Sequence, residues 1–134
     1  MPYAEQPPRP LWMTALALFC FATGIFLVWR DFNLEHVRDV EVWFGLELRG
    51  RSALATAPLH WVIFLLGGWA FWTQQPWILP VAAGYELYIA VSHLVWNTVS
   101  PLGHGWLSGI AQMIAFSVPA VLLLYAHRRS QVRA

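Results

Sequence analysis

The chain has 134 residues, of which 58% are hydrophobic and only 11% charged, with a formal net charge of +1. Soluble domains carry roughly 25% charged residues, and a fold this small cannot hide so much apolar surface from water. A soluble globular protein is therefore excluded, lipid is the implied partner, and the length leaves room for one domain.

The proline-rich opening "MPYAEQPPRP" reads as irregular, with Pro10 placed to open a helix because its missing N–H is not needed there. Residues 11–29, "LWMTALALFCFATGIFLVW", form the first of four apolar stretches; the others are 55–73, 77–99 and 105–126. Each approaches the ~20 residues that carry a helix across ~30 Å of hydrocarbon. Their continuous apolar character, without alternation, predicts helices and not a barrel. The first stretch is too long for a signal-peptide core and no small-x-small cleavage site follows it. Phe19 before Cys20 also argues against lipoprotein processing, so the stretch reads as a true span. Cys20 is the only cysteine; it allows no internal disulfide and reads as a small core or lipid-facing residue.

Residues 30–51, "RDFNLEHVRDVEVWFGLELRGR", form the only long polar connection and hold five of the seven acids. Leu34, Val37, Phe44 and Leu48 fit one face of an interfacial helix, whereas Val40, Val42, Phe44, Leu46 and Leu48 fit strand alternation. Either form has one apolar side, which places it on the membrane surface or over the helix ends. The other connections, "TQQP" and "SPLGHG", are short and predict antiparallel neighbours. The expected fold is thus all-α: a polytopic, up-down bundle of four transmembrane helices with an interfacial segment between the first and second. Pro76 and Pro80 fall at the start of the third span, and Pro119 lies inside the fourth, where a kink is expected.

All eight basic residues are arginine, four of them in the 30–51 connection and four near the termini. The acids in the connection leave the terminal side more positive, which favours both termini in the cytoplasm for this multi-pass protein. Trp12, Trp29, Trp61, Trp72, Trp77, Trp96 and Trp106 fall near predicted span ends, where aromatic belts sit.

Within the third span, "GYELYIAVSHLVWN" carries Glu86, His93 and Asn97. At 100° per residue these three lie within about 40° of one another on a stripe about 16 Å long. Tyr85, Tyr88 and Ser92 flank it, and the antiparallel layout brings His60, His104, Ser108 and Gln112 to a similar depth. An acid exposed to lipid at mid-span costs about 3 kcal/mol on insertion scales, so a shared interior polar cluster is expected.

Several readings fit that cluster. The side chains can simply hydrogen-bond across helices and fix their packing, as in a structural or accessory subunit of a homo- or hetero-oligomer. They can line a pocket for a lipophilic sterol, isoprenoid or quinone, with His60, Tyr85, Trp96, Asn97 and Gln112 as ligand-binding residues. Glu86 and His93 would then be the catalytic acid–base pair. A third reading is b-type haem held by His60 and His93; no other cofactor is expected. Proton or ion conduction is a fourth, and enzyme and non-enzyme readings both stay open. Trp96 also fits a belt position, and His127 beside Arg128 and Arg129 fits an interfacial cap. His36 among Glu35, Asp39 and Glu41 matches no metal-ligand spacing and reads as part of a solvated face. No phosphate-binding glycine loop, nucleophilic-serine motif or nucleic-acid-binding pattern is present.

The stretches "QQPWILPVAAGYELYIAVSHLVW" and "GIAQMIAFSVPAVLLL" place a tyrosine- and acid-bearing span before one with an amide seven residues ahead of a proline. In this the second half resembles the four-span EXPERA domain of the emopamil-binding sterol isomerase family, with Gln112 and Pro119 matching the amide and proline. The resemblance implies a four-helix membrane bundle around a sterol-sized cavity. It also implies isomerase-like movement of a double bond by proton transfer, with Gln112 as a site residue. The chain differs from those isomerases in its first span, "TGIFLVW", which lacks their histidine and acid, and His60 is the polar residue nearest their second-span acid.

Overall fold

The computed structural model describes residues 8–34 and 40–132. Glu35, His36, Val37 and Asp39 of the polar connection lie outside the described residues, as do residues 1–7 and 133–134. The elements are α1 (Leu11–Asn33), β1 (Val40–Trp43), β2 (Leu46–Arg49), α2 (Arg51–Trp72), α3 (Ile78–Val99) and α4 (Trp106–Val132). All four helices are long and apolar enough to cross a membrane.

Each helix pairs its own backbone groups, which is what hydrocarbon demands of a spanning segment. α1 starts where expected: Pro10 holds an extended backbone, and its carbonyl accepts the N–H groups of Met13 and Thr14. It runs four residues beyond the apolar stretch, so Arg30 and Asp31 belong to its last turns. α2 begins four residues earlier than the apolar run and carries Pro58 inside it. Trp61 therefore sits mid-helix, not at a belt. α4 extends past the predicted end at 126, with Pro119 inside it.

The bundle is built as two helix pairs, α1 against α2 and α3 against α4, each antiparallel. In the first pair the helices approach closely because a side chain is missing where they cross. A Cβ on Gly68 would stand 2.8 Å from the Phe21 ring, and one on Gly24 would stand 2.9 Å from Leu65. The pairs meet in a small core that includes Met13, Ala17, Phe71, Ile78, Ala83 and Ala120. This core occupies the half of the bundle that holds the start of α1, the end of α4 and the α2–α3 turn.

The polar connection takes neither of its expected forms as a single element. The alternation is interrupted at Phe44-Gly45, and β1 and β2 pair antiparallel with Trp43 opposite Leu46 and Glu41 opposite Leu48. Phe44 and Gly45 both have positive φ, +53° and +77°, the requirement of a two-residue type I′ hairpin turn. Glycine adopts this readily; phenylalanine does so at a cost of about 1–2 kcal/mol. The Phe44 N–H is donated to the Tyr88 hydroxyl at 3.0 Å, and its ring meets the Tyr88 ring edge-on at 5.1 Å.

The hairpin stands between the helix pairs rather than flat on a surface. Glu41 and Trp43 face α2, where they meet His60, while Glu47 faces Trp96 and Ser100 at the end of α3. Its tip seats on the α3 backbone between Ser92 and Trp96, roughly one to two turns inside the helix end. A Cβ on Gly45 would lie 2.5 Å from the Ser92 carbonyl oxygen and 2.8 Å from the Trp96 nitrogen. Gly45→Ala is expected to destabilise the protein by about 2–4 kcal/mol, combining a disfavoured φ with overpacking against an unyielding backbone. Gly84→Ala, at an open helical position, should be neutral or gain up to about 1 kcal/mol. Unfolding titrations of both variants in detergent, followed by circular dichroism, check the contrast.

Candidate functional site

The single polar cluster expected from the α3 stripe resolves into three separate environments. The first ties α3 to α4. His93 Nδ1 lies 2.8 Å from Gln112 Oε1, and Asn97 Nδ2 donates to the same oxygen at 3.1 Å. Because an amide oxygen only accepts, the His93 proton is assigned to Nδ1. Gln112 in turn donates to Ser108, and the His93 ring stacks on Phe116 at 4.3 Å. Asn97 is only 1% exposed. Its Nδ2 also donates to the His93 carbonyl, and its Oδ1 accepts the His104 N–H. The α3–α4 turn is thereby folded around one buried amide. Of the residues expected in one interior cluster, the structure brings His93, Asn97, Ser108 and Gln112 together, and these four satisfy one another.

The second environment pins the hairpin, and it holds His60. Arg30 donates to Asp31 at 2.6 Å and to Glu41 at 2.9 Å; the other Glu41 oxygen lies 2.7 Å from His60 Nδ1. Trp61 Nε1 donates to the second Asp31 oxygen at 2.8 Å, and the His60 ring stacks on Trp43 at 4.1 Å. Both carboxylates are buried. Arg30 bridges the two carboxylates, and His60 hydrogen-bonds the Glu41 oxygen that Arg30 leaves open. His60 thus serves the hairpin and not the His93 network, and each of the two histidines proposed for haem has its Nδ1 engaged and one ring face covered. Trp96 likewise belongs here, donating to Glu47 at 3.3 Å. Trp43 Nε1 and Ser92 Oγ are buried without a partner among the described residues, and both belong to the elements that meet around the hairpin tip.

The third environment is a cavity of about 710 Å³ between the helix pairs, in the half opposite the hairpin. Its walls are almost wholly apolar, with contributions from all four helices such as Leu16, Phe64, Phe71, Val81 and Leu123. Glu86 and Tyr85 line it, together with Cys20 and Pro119. The Glu86 carboxyl has no hydrogen-bond or ion-pair partner among the described residues, and neither does the Tyr85 hydroxyl. Tyr85 is held by ring contacts instead, edge-on to Phe64 at 6.1 Å and beside Tyr88 at 5.6 Å. His93 and Gln112 do not line the cavity.

The sequence offered little sign of the Arg30–Asp31–Glu41 network, because its members lie in the stretch read as polar connection. Arg30 and Asp31 follow Trp29 directly, so a helix continuing one turn past the apolar run carries both, and that continuation was the signal available. Among the described residues, no three histidine, cysteine, aspartate or glutamate side chains converge as metal ligands would. Comparison with known protein families, curated proteins and solved structures returned no match.

Two measurements test this geometry. Gln112→Leu strands donors on His93 and Asn97 and should cost about 1–2 kcal/mol, with non-additivity toward His93→Phe in a double-mutant cycle. Glu47 is held below the usual carboxylate value of 4.5, first by its hydrogen bond from Arg49 and then by that from Ser100. Its folded pKa is depressed, so its stabilisation is complete above about pH 4.5 and is lost as pH falls through the lower folded value. The stability difference between wild type and Glu47→Gln should be flat above that pH and shrink below it.

Proposed function

We propose that the chain binds a lipophilic molecule, a sterol, isoprenoid or quinone, in the cleft between its helix pairs, with Glu86 and Tyr85 meeting the polar end. The observation that carries this reading is a carboxyl group at the wall of an apolar cavity with no partner among the described residues. An acid without a partner at mid-span is unfavourable by about 3 kcal/mol, and a ligand supplying a hydrogen bond offsets that cost. The cavity falls within the ~300–1,000 Å³ usual for small-molecule sites. Cytoplasmic termini would put the Trp12–Trp77 end of the cleft on the cytoplasmic side, a lean supported by Arg9, Arg128 and Arg129 near that end.

Acid–base chemistry on the ligand is a narrower form of the same reading. Glu86 is the residue placed to exchange a proton with a bound molecule, and Tyr85 is the neighbour placed to hold it. His93, bound to Gln112 and stacked on Phe116, fits the structural alternative better than the role of catalytic partner. That alternative, a non-enzymatic packing role, draws its support from the mutual satisfaction of His93, Asn97, Ser108 and Gln112. The two readings apply to different halves of the molecule.

The test is lipid extraction from the purified protein followed by mass spectrometry. Wild type should carry a stoichiometric lipophilic molecule. Gly67→Leu, which projects into the cavity past a Cys20 contact of ordinary length, and Glu86→Gln should each lower its occupancy at least tenfold with helicity retained. Gln112→Leu should lose stability and keep the ligand. A wild-type protein free of such a molecule, and unable to take one up from mixed micelles, would remove the reading.

A further inference from the structure

The cavity is polarised along its length, and the direction is opposite to that of the surrounding lipid. It runs from Trp12, Trp77 and Ala126, beside the α2–α3 turn, to Cys20, Phe64 and Glu86 near the middle of their helices. Nine residues separate Trp77 from Glu86, so the cleft is roughly 13 Å deep along α3. Its carboxyl and phenol, without partners among the described residues, lie together at the inner end. A leaflet lipid keeps its polar group at the interface and its tail toward the bilayer centre. The groups that would recognise a polar function here sit where the tails should be.

Charge narrows the occupant further. Among the described residues no arginine or histidine lines the cavity, and its one carboxyl group is that of Glu86. Arg9, near the outer end, is already bound to the Trp72 carbonyl and Thr14 and lies over the Trp72 ring at 3.8 Å. A phosphate carried into this cleft would meet a carboxyl group and no cation, and a charged head is strongly disfavoured at that depth. A hydroxyl suits both polar groups at once. It donates to a Glu86 oxygen and accepts from the Tyr85 O–H, whichever protonation state the acid holds.

Resting on the reading of the cavity as a ligand site, we infer that its occupant is an uncharged lipid alcohol bound inverted, with its hydroxyl between Glu86 and Tyr85 and its hydrocarbon running outward to Trp12 and Trp77. The inversion makes the site selective by polarity order. A phospholipid can enter neither way round, because its head finds no cation inward and its tails leave the inner polar pair unpaired.

Photolabelling of the intact protein in detergent decides the point. The probes are two hexadecanols, one with a diazirine beside the hydroxyl and one with it midway along the chain, and a phosphatidylcholine bearing a mid-chain diazirine. Specific labelling is that competed by excess unlabelled hexadecanol and lost in Gly67→Leu. The hydroxyl-side probe should label peptides containing Cys20 and Glu86, and the mid-chain probe those containing Trp12 and Trp77. Tyr85→Phe and Glu86→Gln should each reduce specific labelling about tenfold. The reverse pattern, or equal inner-end labelling by phosphatidylcholine, would overturn the inverted alcohol while leaving the cavity a ligand site. No specific labelling by any probe, together with no co-purified lipid, would remove both.

Discussion

Hydrocarbon gives a buried polar group nothing to bind, so each such group must find its partner within the protein or on a ligand. The arrangement of this molecule follows from how that requirement is met in one half and left open in the other. Toward the hairpin end, Asn97, Gln112 and His93 satisfy one another across α3 and α4, and Arg30, Asp31, Glu41 and His60 do so across α1, β1 and α2. Toward the α2–α3 turn, Glu86 faces a void.

The hairpin is what permits the two halves to differ. Wedged between the helix pairs, it keeps them apart at one end, while the Met13–Phe71–Ile78 core draws them together near the other. The space between the pairs lies beside that core, in the half that the hairpin does not reach. The line Phe44–Tyr88–Tyr85 marks where the spacer stops and the cavity starts. Backbone that is neither helix nor closed barrel is tolerated at such depth only when protein covers it, and here helices flank both faces of the hairpin.

Much of this was legible in the residues, and the limits have physical causes. Four spans could be read because twenty apolar residues in a row have one stable form in lipid. Their ends could not, because Arg30, Asp31 and Arg51 extend helices into polar sequence where composition no longer signals helix. The connection between α1 and α2 was ambiguous because a strand turning at Phe44-Gly45 and an amphipathic helix share the positions of Phe44 and Leu48; only the positive φ at a phenylalanine decides it. Helical periodicity put Glu86, His93 and Asn97 on one stripe of α3. Depth alone added His60 and Gln112, and of these two only Gln112 meets the stripe. Depth does not specify azimuth, so two residues at one level can look into different spaces, as His60 and His93 do.

The seat of the hairpin has a consequence for how the molecule is made. Chain synthesis delivers β1 and β2 before α2, and well before the Ser92–Trp96 segment of α3 on which Gly45 rests. When the first helix pair enters the bilayer, the hairpin's contacts to α3 do not yet exist, and Glu47 has neither Trp96 nor Ser100 to hold it. Until the second pair arrives, the strands are held against the first pair by Arg30, by His60 and by the Trp43–His60 stack. The wedge is thus translated early, and its seat on α3 late.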